Sequence, residues 1–156
     1  RVHLYNPELE PYGEQFPVFM EPHESNRSEL ASKYPLTLMN CRSVYTAHSQ
    51  HTPLEWIREV NPEPHLEMSP ADADARGLVD GDMVEVVNDR GSFTTKLFVT
   101  EAQKPGGLNI RQGWWPKDFD GKHYGDLLHM ELNPAQDFIS ETNYSPYDNL
   151  VEVRKA

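Results

Sequence analysis

Met68-Ser-Pro-Ala-Asp-Ala-Asp-Ala-Arg-Gly-Leu-Val-Asp-Gly-Asp-Met-Val-Glu-Val86 compresses a helix start, a helix stop, a tight turn and a strand into one unit. Ser69 has a hydroxyl suited to an N-cap, and Pro70 suits the first helical position. Asp72 places a negative charge in the first turn, where the helix dipole favours it. Ala71, Ala73 and Ala75 are strong helix formers, and Gly77 supplies a residue able to turn left-handed and end the helix. Asp80-Gly81 marks a turn, and Met83 to Val87 reads as a Val-rich strand.

Outward from this unit the same grammar repeats. Upstream, Tyr34-Pro-Leu-Thr-Leu-Met39 is an apolar run too short for a helix and reads as a buried strand. Thr52-Pro53 opens a short helix over Leu54–Val60, with Thr52 as its cap and Leu54, Ile57 and Trp56 as its apolar side. His65 to Met68 is extended. Downstream, Asn88-Asp-Arg-Gly91 predicts a hairpin turn into Ser92–Thr100, where Phe93, Thr95, Leu97 and Val99 share one face. Lys104-Pro-Gly-Gly107 turns into a strand at Leu108–Arg111. Gln112-Gly-Trp-Trp-Pro116 brings two aromatics into a loop, and Lys117–Glu131 is mostly loop with a short helical piece near Leu127. Asn133-Pro134 is a turn, Asp137 to Pro146 is irregular, and Leu150–Arg154 is a final strand. Short strands separated by turns, with few helices, predict a small β-barrel rather than a βαβ sheet.

Residues 1–33 read differently. After a short strand at Val2–Tyr5 come Pro7, Pro11, Pro17 and Pro22, which exclude a regular helix. Phe16, Val18 and Phe19 suggest an extended arm pinned to a surface by its apolar side chains. The division expected is thus an arm at 1–33 and one domain at 34–156. The chain begins at Arg1 without Met, which suggests a piece of something longer.

The 156 residues carry 14 basic and 25 acidic side chains, a formal charge of −11. Such a surface repels polyanions, so nucleic-acid binding through a basic face is excluded. No apolar run is long enough to span a membrane. The compartment stays open between cytoplasm and periplasm. Charge is unevenly spread: Ala31 to Leu54 holds no Asp or Glu, only Lys33, Arg42 and the histidines His48 and His51. Cys41 is the one cysteine, which excludes an intrachain disulfide; at the end of an apolar strand it is expected as a small buried residue.

Catalytic signatures are weak. The histidines at 48, 51, 65, 123 and 129 fall in no His-Glu-x-x-His pattern, and no Cys-x-x-Cys exists. Ser49 follows His48 too closely for a nucleophile–base pair, and there is no Gly-x-Ser-x-Gly elbow. The acidic residues from Asp118 to Glu131 read as a solvated loop. An anion can still be held by turns, hydroxyls and Arg. Asn40, Arg42, Ser43, Ser49, Gln50 and Thr52 are the right residue types, gathered in the acid-free window. Two duties are open to Asp72: capping its own helix, or accepting the adjacent N–H donors of a guanine-like base. Trp114 and Trp115 either stack on a planar ring or fill a groove.

Taken in order, Tyr34-Pro-Leu-Thr-Leu, Arg42, His48-Ser-Gln50, Met68-Ser-Pro-Ala-Asp-Ala, Gly77-Leu-Val-Asp-Gly-Asp-Met-Val-Glu-Val, Asn88-Asp-Arg-Gly, Gly113-Trp-Trp and Thr142-Asn143 form a recognisable set. It resembles the C-terminal molybdopterin-dinucleotide-binding domain of the dimethyl sulfoxide reductase family of molybdenum and tungsten oxidoreductases, over about Tyr34 to Lys155. The resemblance implies a mainly β fold, a double-psi β-barrel with short helical insertions and an extended N-terminal arm. It implies a bis(molybdopterin guanine dinucleotide) cofactor with Mo or W in the full enzyme. By position, Asn40 and Arg42 would lie against the cofactor, His48, Ser49 and Gln50 would contact pterin or pyrophosphate, Asp72 would read guanine, and Trp114 and Asn143 would complete the pocket. Asn40-Cys41-Arg42 stands where many relatives have Thr-Gly-Arg. The metal ligand and any iron–sulfur cysteines belong to other domains, so this chain alone is expected to supply neither metal ligand nor catalytic residue. The implied partners are the remaining domains of the same oxidoreductase and an iron–sulfur electron-transfer subunit. A rival reading is a double-psi barrel that serves as an interaction or substrate-recognition module and binds no cofactor. The acid-free Arg42–Gln50 segment and Gly113-Trp-Trp115 favour the first.

Overall fold

A computed structural model describes residues 4–19, 21–129 and 149–156. Among them six strands form a closed barrel: β1 (Leu36–Cys41), β2 (His65–Met68), β3 (Met83–Val87), β4 (Ser92–Val99), β5 (Gly107–Arg111) and β6 (Asn149–Lys155). Around the barrel the order is β1-β5-β2-β4-β3-β6, with β6 pairing back onto β1. Two pairs, β1 with β5 and β2 with β4, are parallel, and the other four are antiparallel. This is the double-psi β-barrel.

Alternation explains which side chains fill it. Leu36 and Leu38 of β1, Leu66 and Met68 of β2, Val84 and Val86 of β3, and Phe93 and Leu97 of β4 all point inward and are buried. Leu108 and Ile110 of β5, with Val151 and Val153 of β6, complete the core. Period-two burial with closure leaves no free sheet edge among these strands.

The opening stretch folds nearly as expected. A short helix, α2 in chain order, covers Pro70–Asp74, with the Ser69 hydroxyl accepting from the Asp72 N–H at 3.1 Å. It stops earlier than expected, at Asp74; Gly77 is left-handed (φ 63°) in the turn that follows. The hairpin after Val87 pairs Val87 with Ser92. The earlier helix, α1, covers Glu55–Val60 and departs from expectation at its cap. Leu54 is the N-cap residue and no side chain caps it, because the Thr52 hydroxyl is turned away into the protein. Of its apolar residues only Ile57 is buried; Leu54 and Trp56 are exposed.

Cys41 departs from the sequence-based expectation: it is exposed. Leu36 and Leu38 take the inward phase of β1, so Thr37, Met39 and Cys41 fall on the outer face. The arm is also held differently. Pro7–Tyr12 forms a 3-10 helix, and Phe16, Val18 and Phe19 are exposed, with Phe16 resting on Tyr5 at a ring separation of 5.2 Å. The fixing is polar. Glu24 is 2% exposed; one carboxylate oxygen pairs with Arg90 and the other accepts from the Leu150 N–H of β6 at 2.8 Å. Burial pushes the Glu24 carboxyl up, but the hydrogen bonds from Arg90 and Leu150 outweigh it and hold the carboxyl below its ordinary range. Of the strand expected at Val2–Tyr5, Leu4 and Tyr5 are described and are not in a strand; the turn at Asn133-Pro134 and the irregular Asp137–Pro146 segment lie outside the described residues.

Candidate functional site

β1 and β5 run parallel from Thr37 opposite Gly107 to Cys41 opposite Arg111, so the loops that follow them leave the same end of the barrel. The first is residues 42–53; the second is residues 112–116. Parallel pairing of strands far apart in sequence is what places Arg42 beside Gly113-Trp-Trp115.

The two loops are locked together by short contacts. The Gln112 N–H donates to the Cys41 carbonyl at 2.9 Å, and the buried Thr52 hydroxyl donates to the Gly113 carbonyl at 2.8 Å. The Trp115 indole N–H donates to the Ser49 carbonyl at 3.3 Å, and Arg111 reaches the Arg42 carbonyl at 3.3 Å. Gly113 has φ +110°, and a Cβ there would lie 2.4 Å from the His48 carbonyl oxygen and 3.0 Å from the Thr46 hydroxyl. Glycine is required for the loops to approach this closely.

The 42–53 loop is itself unusual. His48 (φ 53°) and His51 (φ 70°) both take left-handed backbone, bracketing Ser49-Gln50, and the Gln50 N–H closes a turn onto the Ala47 carbonyl at 3.0 Å. Non-glycine residues in that region are strained by roughly 1–3 kcal/mol, a cost met where surrounding contacts fix the conformation. Here those contacts come from the second loop.

Beneath the loops a polar belt crosses the barrel wall. The Asn109 amide donates to Glu67 at 2.7 Å and accepts from the Cys41 N–H at 3.2 Å, while Arg111 pairs with Glu67 at 3.0 Å. Asn40 is half-buried and donates to the Ile110 carbonyl at 3.3 Å. Arg42, His48, Ser49 and Gln50 are exposed, and among the described residues the Arg42 guanidinium has no carboxylate partner. A cation, a hydroxyl, an amide and an imidazole on a loop without acids suit an anionic, hydrogen-bonding ligand. Such a donor set fits the phosphates and polar ring edges of a dinucleotide. Among the described residues no group of three or more His, Cys, Asp or Glu could hold a metal ion.

Not every candidate joins this cluster. Asp72 sits at the opposite end of the barrel, beside Gly106, which precedes the first β1–β5 pair. Arg42 and Gln112 follow the last such pair. At about 3.3 Å per residue the strands hold the two ends roughly 20 Å apart. The Asp72 carboxylate accepts from the Ser69 hydroxyl at 2.7 Å and from the Gly106 N–H at 2.8 Å. The Ser69 hydroxyl does the capping, and the Asp72 carboxylate ties the helix start to the turn before β5. Trp114 is also turned inward: it is 5% exposed and lies in the core, while Trp115 is 45% exposed beside Ser49. Asn143 lies outside the described residues.

Sequence reasoning passes over Arg58 altogether. Its guanidinium donates to the Thr52 carbonyl at 2.7 Å, the Pro62 carbonyl at 3.1 Å and an Asp118 carboxylate oxygen at 2.9 Å, and lies 4.8 Å from the Trp114 ring centre. An Arg on a short helix gives no sequence signal of this kind.

Comparison with known proteins agrees with the fold. The family model for the molydopterin dinucleotide binding domain matches residues 36–138. A Halobacterium salinarum protein described as the catalytic subunit of a dimethyl sulfoxide reductase is 40% identical over 126 residues, covering 81% of this chain and 14% of that protein. The dimethyl sulfoxide/trimethylamine N-oxide reductase of Cereibacter sphaeroides is 33% identical over 154 residues, covering 91% of this chain and 19% of its own length. Among solved structures, acetylene hydratase from Pelobacter acetylenicus superimposes with a TM-score of 0.80 at 24% identity, covering 98% of this chain and 23% of that one. The chain spans less than a quarter of the length of each of these proteins. The residues matched by the model include β1 to β5 and both loops of the site: this chain belongs to the molydopterin dinucleotide binding domain family.

Proposed function

We propose that this chain works as the C-terminal, cofactor-holding domain of a larger molybdenum or tungsten oxidoreductase, and that its ligand-facing surface is the joined pair of loops after β1 and β5. The observation that carries the reading is the acid-free loop locked against Gly113, with Arg42 unpaired by any carboxylate among the described residues. In this reading Arg42 and Gln50 hold the anionic part of a molybdopterin guanine dinucleotide, and Asn40, His48 and Ser49 shape its polar edge. Asn143, which the family resemblance assigns to the pocket, lies outside the described residues. Trp115, not Trp114, offers the aromatic surface, because only its ring reaches solvent. Asp72 serves the barrel rather than the guanine.

The bound cofactor would supply the redox chemistry; the protein's part is to bind and orient it. The site is an open face rather than a closed cavity, which suits a ligand shared with the remaining domains of the same enzyme. An iron–sulfur electron-transfer subunit would bind elsewhere on that enzyme. Residues 1–33 are the connector, fastened to the barrel at Glu24. The test is cofactor content of the full enzyme purified with Arg42→Ala and Gln50→Ala together. Loss of molybdopterin from an otherwise folded protein is expected; undiminished content would overturn the site.

A further inference from the structure

We infer that Arg58 is the positioning residue of this site, a clamp that sets the shape of the ligand-facing loop without touching the ligand. The inference rests on the cofactor-holding reading above. A guanidinium is a rigid fork with five donors, and here three of its bonds go to three different segments. Thr52 ends the ligand-facing loop, Pro62 lies in the segment after α1, and Asp118 belongs to the 3-10 helix (Pro116–Phe119) that follows the second loop. The flat face of the same group covers Trp114, which anchors the second loop in the core. None of these four partners of Arg58 lies in a barrel strand.

That distribution separates positioning from general stability. The loop carries two left-handed histidines and must be held from outside. Thr52 is its far anchor: the hydroxyl holds Gly113 and the carbonyl is held by Arg58. Asp118 balances the positive charge, so Arg58 acts through geometry rather than by attracting the anion. The side chain is about a quarter exposed, and its bonds to Thr52 and Asp118 are partly buried, where loss of the donor leaves acceptors unsatisfied; the bond to Pro62 is at the surface.

The experiment is hydrogen–deuterium exchange on the full enzyme prepared without cofactor, paired with cofactor content of the enzyme prepared with it, for Arg58→Ala, Arg58→Lys and Arg42→Ala. Arg58→Ala is expected to speed exchange about tenfold at the Gln50, Gln112 and Asp118 amides, while β2–β4 amides keep their protection and report an intact barrel. Cofactor content should fall with it. Arg58→Lys keeps the charge but not the fork, so it should recover only part of both effects. Arg42→Ala should lower cofactor content and leave exchange unchanged. Unchanged exchange in Arg58→Ala overturns the clamp. Loosened loops with full cofactor content overturn its positioning role. Full content in Arg42→Ala overturns the cofactor-holding reading itself, a separate failure.

Discussion

Replacing Gly113 by Ala tests the tightest contact in the site. A Cβ built there lies 2.4 Å from the His48 carbonyl oxygen, a separation real Cβ atoms do not show below 3.0 Å. The carbonyl or the second loop must therefore retreat by at least about 0.6 Å, in a region already filled, which costs about 1–3 kcal/mol. The backbone at φ +110° adds about 1–2 kcal/mol for an L-residue. Together the expected destabilisation is about 2–5 kcal/mol, a drop in Tm of roughly 5–15 °C for a domain of this size. Gly77→Ala supplies the control. Its φ is +63° and its Cβ would meet nothing within 4 Å, so only the conformational cost of about 1 kcal/mol applies. Urea and thermal unfolding of both variants isolate the steric part. Because the displaced atom belongs to His48, Gly113→Ala should also lower cofactor content in the full enzyme at temperatures where it stays folded. Should Gly113→Ala cost no more than Gly77→Ala, the close approach of the two loops is wrong.

Other outcomes follow from features already described. Glu24→Ala removes the acceptor of the buried Leu150 N–H and leaves Arg90 unpaired; Arg90 is partly exposed and rehydrates, so the loss in chemical denaturation should be about 2–3 kcal/mol. The Glu24 carboxyl lies lower in the folded state than in the unfolded, so its contribution is complete above the ordinary glutamate range and disappears as pH falls below it; a stability–pH curve of Glu24→Gln should lack that acid-side decline. Trp114→Ala should cost about 3–5 kcal/mol of stability and Trp115→Ala under about 1 kcal/mol, with only the second leaving a folded protein short of cofactor. Asp72→Ala should cost about 1–3 kcal/mol through the stranded Gly106 N–H while cofactor content holds. Cys41 should react with a thiol reagent in the native state; protection of that thiol would show the phase of β1 to be misassigned.

Much of the barrel is legible because its strands obey simple chemistry. Met83–Val87 and Ser92–Val99 are flanked by turn residues and alternate cleanly, and both form as read. Ser69, Pro70 and Asp72 specify their helix start locally, so no tertiary information is needed. What local pattern cannot encode is which strands become parallel neighbours. β1 finds β5 across most of the domain, and the site exists only through that pairing. Adjacent residues at a loop point opposite ways, so Gly113-Trp-Trp reads as a motif without saying that Trp114 goes in and Trp115 stays out. Thr52 shows the same limit: a hydroxyl before Pro reads as a helix cap, yet it bonds to Gly113, a partner no local pattern supplies. Cys41 misleads because an apolar run announces a buried strand but not which of its two phases is inward.

The order of strands around the barrel also bears on how the protein is made. β1 is synthesised first, yet its parallel neighbour β5 and its antiparallel neighbour β6 emerge from the ribosome much later. Leu36 waits for Val151 before the wall can close. Until then β1 can pair on its β5 side alone, and the ring closes only through contacts of long sequence separation, which form slowly. The ligand-facing loop after β1 lacks the contacts to Gly113 and, through Arg58, to Asp118 until those residues have been made. Loading of this face therefore waits until both β5 and β6 are in place around β1.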